Sequence, residues 1–203
     1  MRTSPHSHAT RTMLACAGLI LMLTATGAAP AAAEELCWTG TESGQFYQKI
    51  EYCVSSVLAP QGEETFGPNH LMPWEGGPDK AWCEGAEGYG LGETIRITIE
   101  NAVPYRRMLV SNGYQKSPET FAHNGRVRTV EITSDTGVKA TIDFPDKNEM
   151  VPVNIPGMAQ KWIQFKIVDV YPGERFPNTC MTLLLPDHEY EEELLLRQQG
   201  LIK

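Results

Sequence analysis

The chain predicts an all-β fold, an antiparallel β-sandwich, on three observations. Past residue 33 the dominant apolar period is two. The segments with that period are short and are separated by turn clusters such as "GGPDK", "SDTG" and "YPG". No stretch between them carries the helical period, so several short strands in two layers are the expected result.

Taken in order, "QKIEYCVSSVL" (48–58) alternates at first and then becomes apolar. "TIRITIE" (94–100) sets Ile95, Ile97 and Ile99 on one face and Arg96, Thr98 and Glu100 on the other, the signature of a half-buried strand. "RRMLVSN" (106–112), "RVRTVEIT" (126–133) and "VKATIDF" (138–144) follow. "KWIQFKIVDVY" (161–171) is the longest of the set, and "TCMTLLL" (179–185) closes it. In "PDHEYEEELLLRQQG" Asp187 can cap a helix, the acids fall in its first turns, Arg197 lies near its end and Gly200 stops it. A C-terminal helical tail over 186–203 is therefore expected, its leucines packing on the sandwich or reaching a partner.

The first 33 residues read as a separate unit. Arg2 and Arg11 precede the apolar run "MLACAGLILML", and small residues end it at Ala33, the pattern of a secretory signal peptide cleaved after Ala33. The run is about half the ~20 residues that a membrane-spanning helix needs. A lead-in segment over 34–53 and a sandwich over 54–185 complete the expected organisation, for a secreted or periplasmic protein.

The chain beyond Ala33 carries 15 basic against 25 acidic residues. That balance argues against nucleic acid or an anionic membrane surface, both of which need a basic face. Cys37, Cys53, Cys83 and Cys180 remain, an even number in an exported chain. They read as two disulfides with three pairings open, Cys37–Cys53 with Cys83–Cys180 being favoured. The alternative is that one or both pairs stay as buried thiols. No two of them are spaced as in a zinc knuckle.

"AWCEGAEGYGLGE" (81–93) is rich enough in glycine to suggest a phosphate cradle. Such a cradle needs a helix behind it, whereas "TIRITIE" follows and reads as a strand. Glu84, Glu87 and Glu93 would also repel a phosphate. The glycines instead suit a strand junction with close backbone approach.

Four motifs come in a fixed order: "WCEGAEGYGLGE" (82–93), "SNGYQKS" (111–117), "NGRVRTVEI" (124–132) and "DVYPGERFPNTC" (169–180). Together they resemble the NADase-type glycan-binding domain, a discoidin-like, galactose-binding-like module, over about Val54 to Leu185. The resemblance implies a jelly-roll sandwich, export and non-catalytic carbohydrate recognition, without NAD hydrolysis. Discoidin-like domains often hold a structural calcium through an aspartate in the loop before the tryptophan and a glutamate after the last cysteine. Here those positions read Glu75-Gly76-Gly77-Pro78 and Leu183, so no cofactor or metal is expected, the alternative being a structural calcium held weakly by backbone carbonyls.

Sugars are held by aromatic faces and fixed polar groups. Within the matched motifs the candidates are Glu84, Tyr89, Asn112, Tyr114, Lys116, Asn124, Arg126, Asp169 and Tyr171, with Trp74 a further loop aromatic. Each has a structural alternative. Asn112-Gly113 and Asn124-Gly125 are turn formers, and Tyr171-Pro172-Gly173 can simply shape a turn. Lys116 and Arg126 can pair with Glu84 or Asp169 in a polar cluster, and Trp82 reads as core. The acidic runs Glu63-Glu64 and Glu191-Glu192-Glu193 read as solvated surface, and no catalytic motif is present. The expected function is an exported glycan-binding module that is not an enzyme. The alternative is an envelope protein that binds another protein through the sandwich and its C-terminal helix.

Overall fold

The structure is a computed structural model that describes residues 1, 35–41, 48–72 and 74–203. The expected signal peptide lies outside the described residues, and the description below concerns the unit Ala33–Lys203. Its strands are β1 (Leu36–Thr41), β2 (Lys49–Val54), β3 (Trp82–Cys83), β4 (Thr94–Glu100), β5 (Tyr105–Asn112), β6 (Gly125–Ser134), β7 (Lys139–Asp143), β8 (Met150–Ala159), β9 (Trp162–Tyr171) and β10 (Thr179–Pro186). Two helices accompany them, α1 (Pro118–His123) and α2 (His188–Gln198), with a single 3-10 turn at Pro68–Leu71.

Hydrogen bonding runs β1-β2-β4-β9-β6-β10-β5-β8, with β3 on β10 and β7 on β6. Every pairing between these strands is antiparallel except β6 with β10. That parallel contact is only two residues long, Thr179 beside Gly125 and Cys180 beside Arg126. It is the corner where one layer (β1, β2, β4, β9, β6, β7) turns into the other (β10, β5, β8, β3), which gives the expected sandwich. The lead-in and the sandwich core expected from the sequence meet inside β2.

Alternation on the strands fills the space between the layers. Ile95, Ile97 and Ile99 of β4, Ile163, Phe165 and Ile167 of β9, and Val130 and Ile132 of β6 share one buried cluster with Met108, Val110, Met181 and Leu184. Each such side chain taken from water contributes roughly 1.5–3 kcal/mol, so the period-two pattern is also the main source of stability. Tyr52 crosses the core to donate its hydroxyl to the Leu184 carbonyl at 2.9 Å. Trp82 is fully buried, as its sequence position suggested, and its indole N–H reaches the Ser56 carbonyl at 3.0 Å.

The disulfides are Cys37–Cys53 and Cys83–Cys180, the favoured pairing. Five elements depart from the expected set, among them the two-residue β3 and the 3-10 turn at Pro68–Leu71. β8 carries Pro152 and Pro156, which break a strand pattern but are tolerated at a sheet edge. β1 is short and includes Gly40. α1 is a single helical stretch where none was expected; Ser117 caps it by accepting from the Thr120 N–H at 3.1 Å, with Pro118 at its first position. Glu191, assigned to a solvated run, is in fact buried. Among the described residues, no helix is long and apolar enough to cross a membrane.

Candidate ligand-binding site

Strand direction gathers the sequence motifs at one end of the sandwich. Val54 lies beside Ile95, Arg126 beside Tyr171, Thr179 beside Gly125 and Ser111 beside Met150. The connections β2–β3–β4, β5–β6, β7–β8 and β9–β10 therefore all emerge at that end. All nine candidate residues belong to these connections or to the strand ends that carry them.

The glycine-rich connection is a strand junction built around Glu84. Its carboxylate, fully buried, accepts from the Thr179 N–H at 3.0 Å and the Ala86 N–H at 2.8 Å. Burial pushes its pKa up, and the two N–H donors hold it partly down. Gly90 has φ 68°, and a Cβ there would collide with the Glu84 side chain, so only glycine lets the loop close over the carboxylate. The half-buried Tyr89 accepts the Thr179 hydroxyl on its backbone carbonyl at 2.9 Å. These residues brace the loop.

Three more candidates are structural braces. Asn112, buried, donates to the Val127 carbonyl at 2.6 Å and accepts from the Val127 N–H at 3.0 Å, clamping β5 to β6. Arg126 forms a fork with Asp146, at 2.5 and 3.1 Å, and donates to the carbonyls of Phe121 and Asn124. Its guanidinium lies 4.8 Å from the Phe121 ring centre and 6.0 Å from that of Tyr171. Tyr171 in turn donates its hydroxyl to the Phe144 carbonyl at 3.1 Å. The pairings differ from those expected. Lys116 meets Glu64 at 2.6 Å, not Glu84 or Asp169, and Asp169 meets Arg128 at 3.1 Å on the surface. The long-range partners Glu64 and Asp146 come from other loops, which turn chemistry alone does not reveal.

Between the β2–β3, β5–β6 and β9–β10 connections lies a cleft of about 150 Å³ whose walls include Gln61, Phe66, Tyr114, Asn124, Phe176 and Asn178. Two of the nine candidates, Tyr114 and Asn124, thus line it. Tyr114 meets Phe66 edge-on at 6.3 Å and donates its hydroxyl to the Asp79 carbonyl at 3.2 Å; burial raises its pKa. Asn124 closes α1 by donating to the Thr120 carbonyl at 2.8 Å. Phe176 is 42 % exposed and packs edge-on against His123. It is placed by Gly173, which approaches the His123 carbonyl so closely that a Cβ would clash. Phe176 and Asn178 lie within the fourth sequence motif but were passed over, because nothing periodic marks which loop side chains point outward. Gln61 and Phe66 carried no signal. Trp74 is exposed elsewhere on the β2–β3 connection and does not line this cleft.

Beside the cleft, Glu64 accepts from both Lys116 and Lys80, at 2.6 and 3.0 Å. The hydrogen bond from Lys116, then that from Lys80, holds its carboxyl down to about 2. At neutral pH the Glu64 carboxylate is therefore charged, and it ties two parts of the β2–β3 connection to the β5–β6 connection. The side chains of this trio are about a third exposed, so solvent screening keeps its worth modest.

Residues 43–185 match the model of the NAD glycohydrolase translocation F5/8 type C domain family. The chain belongs to that family. No curated protein matches it significantly. Among solved structures, this F5/8 type C domain is similar to the family 32 carbohydrate-binding module of Clostridium perfringens NanJ, described in complex with galactose, at 13% identity and TM-score 0.46, covering 66% of this chain and 90% of that one. A similar match is the fifth such module of the C. perfringens family 89 glycoside hydrolase, in complex with GalNAc-β-1,3-galactose, at 13% identity and TM-score 0.47, covering 67% and 93%. The domains of C. perfringens ZmpB match at 12% identity and TM-score 0.48, covering 83% of this chain and 15% of that one.

For calcium, the residues of this F5/8 type C domain do not fit. Position 77 has no side chain, and at 183 a largely buried leucine presents only alkyl surface, so two charged ligands are missing. Among the described residues, the one group of three metal-ligand side chains within reach of one another is Glu35 with Cys37 and Cys53, and those cysteines are bridged.

Proposed function

We propose that this domain is an exported glycan-binding module without catalytic activity. The observation that carries the reading is the cleft itself. Aromatic surface from Phe66, Tyr114 and Phe176 stands beside the amides of Gln61, Asn124 and Asn178. Ring C–H faces pack on aromatic surface and hydroxyls pair with amides, which is how a protein holds a sugar. Drug-sized pockets run to about 300–1,000 Å³, so a cleft this small suits one terminal sugar unit rather than an enclosed chain. The bracing by Glu84, Asn112 and Arg126 supports a preformed site, which limits the ordering cost of binding. The lining offers alkyl, aryl, amide and hydroxyl groups, which suits holding a ligand rather than transforming it. Two disulfides support an oxidising compartment.

The test is a glycan array on the purified protein followed by calorimetric titration of each hit. Binding that Phe176→Ala weakens about fivefold or more supports the assignment. Binding to no glycan would sink it, and binding untouched by that change would move the site elsewhere.

One observation favours a second reading, a protein-docking module. On the last turns of α2 the exposed Leu195 lines a groove of about 200 Å³ with Leu194, Val103, Pro104 and Met158, and Leu201 and Ile202 just past the helix are exposed as well. Removing residues 194–203 separates the two readings, since sugar binding should survive it.

A further inference from the structure

The two disulfides occupy opposite environments. Cys83 and Cys180 are 1 % and 0 % exposed, in a cluster with Phe66, Ala81 and Tyr114. Cys37 is exposed, and it lies on β1, the outermost strand of its layer. The Cys37–Cys53 bridge spans 16 residues and the Cys83–Cys180 bridge spans 97. Loop-closure entropy grows with loop length, so the shorter bridge restrains the unfolded chain less and resists reduction less.

Register adds a chemical asymmetry. Cys37, Cys53 and Arg96 form one cross-strand row, so Arg96 stands on the same face as Cys53 and next to it. The Arg96 guanidinium rests 5.1 Å from the Trp162 ring centre, an arrangement that keeps it on the sheet face. A fixed cation favours a thiolate at a neighbouring sulfur. The Glu35 carboxylate and both sulfurs lie within 4.8 Å of one another.

We propose that Cys37–Cys53 is a thiol-exchange site for an external dithiol, opening and reclosing while Cys83–Cys180 stays shut. A thiolate of the dithiol attacks the exposed Cys37 Sγ. The S–S bond breaks with its electron pair going to Cys53 Sγ, which leaves as a thiolate beside Arg96. The second thiol of the reductant loses its proton to solvent and attacks the mixed disulfide. Cys37 is thereby released and takes a proton from water. The bridge gains two electrons and the dithiol becomes a disulfide. Opened, β1 keeps its hairpin hydrogen bonds, the Thr39 hydroxyl on the Glu51 carboxylate at 3.2 Å and the Trp38–Tyr52 contact at 6.4 Å, but no covalent tie to β2. Its departure would bare the edge of β2 to another strand.

The test is a dithiothreitol titration of the folded full chain, with alkylation and peptide-resolved mass spectrometry. Cys37 and Cys53 should take label at about tenfold lower reductant than Cys83 and Cys180. Both bridges opening together, or Cys83–Cys180 opening first, would overturn the proposal. Arg96→Gln, with its fold checked by circular dichroism, should slow the first exchange step about threefold or more. An unchanged rate would overturn the assignment of Cys53 as the leaving sulfur.

Discussion

Glu84 and Thr179 hold each other twice. The Glu84 N–H donates to the Thr179 carbonyl at 3.0 Å, and the Thr179 N–H donates to the Glu84 carboxylate, also at 3.0 Å. The same carboxylate takes the Ala86 N–H, so one buried side chain satisfies two backbone donors at the start of the glycine-rich loop. Glu84→Ala leaves both donors unsatisfied in a dry site and should cost roughly 2–4 kcal/mol of unfolding free energy in a urea melt. A loss below about 0.5 kcal/mol would mean that water reaches these groups.

Glu191 does similar work at the opposite end of the sandwich. It accepts from the Arg106 N–H at 2.9 Å and from the Arg106 side chain at 3.3 and 3.2 Å. Asp187 pairs with Arg107 at 2.7 Å, and Tyr190 lies 3.5 Å under the same guanidinium. Successive residues of β5 therefore hold the first turns of α2. Glu191→Ala should cost about 1–3 kcal/mol and raise amide exchange throughout α2 while leaving β4 and β9 protected. Unchanged exchange in α2 would show that the helix is held by its apolar contacts alone.

These two carboxylates mark where sequence reading stops. The strands with one buried face were legible because Ile95, Ile97 and Ile99 alternate with polar residues, and burial on one face imposes that period. β8 was not, because its two prolines mimic a turn and an edge strand tolerates them. The loop motifs gather at the end of the sandwich that holds the proposed cleft, and Tyr114 and Asn124 are among its walls. They did not reveal Phe66 or Phe176, since exposure in a loop follows from long-range packing such as Gly173 on His123. Nor could charge patterning separate Glu191 from Glu192 and Glu193. A run of like residues on a helix presents both a buried and an exposed face, and only the partner strand decides which is which.

His188, at the first position of α2, stacks edge-on against Tyr105 at 5.3 Å and is buried. Burial lowers its pKa from 6.5 to about 4. The unfolded chain therefore takes the proton first. The stability that neutral His188 preserves is complete above about pH 6.5, falls as pH drops toward 4, and falls no further below that. With partial screening the loss from this group is roughly 2–3 kcal/mol. His70 is also held down by burial and adds acid sensitivity of the same sign. The informative measurement is thus a difference: His188→Phe should show a shallower decline of stability between pH 6.5 and 4 than the parent chain. Parallel curves would refute a buried neutral imidazole at this position.

Phe176 is the sharpest test of the cleft because it contributes little to the fold. It is 42 % exposed and packs against His123, with Arg175 lying 5.2 Å from its ring centre. Phe176→Ala should change unfolding free energy by about 0.5 kcal/mol, as surface substitutions do. The same change removes an aromatic face from the ligand and should weaken sugar binding by about 1–3 kcal/mol, a factor of roughly five to more than a hundred in Kd. Asn178→Ala should weaken binding with a smaller stability change than Tyr114→Ala, because Tyr114 is buried against Phe66 and Asn178 stands at the rim. Paired calorimetric titrations and urea melts on the three variants separate the effects. If Phe176→Ala lowers stability and affinity together, the ring is a strut of the β9–β10 connection and the sugar-binding surface must be sought elsewhere on the loops.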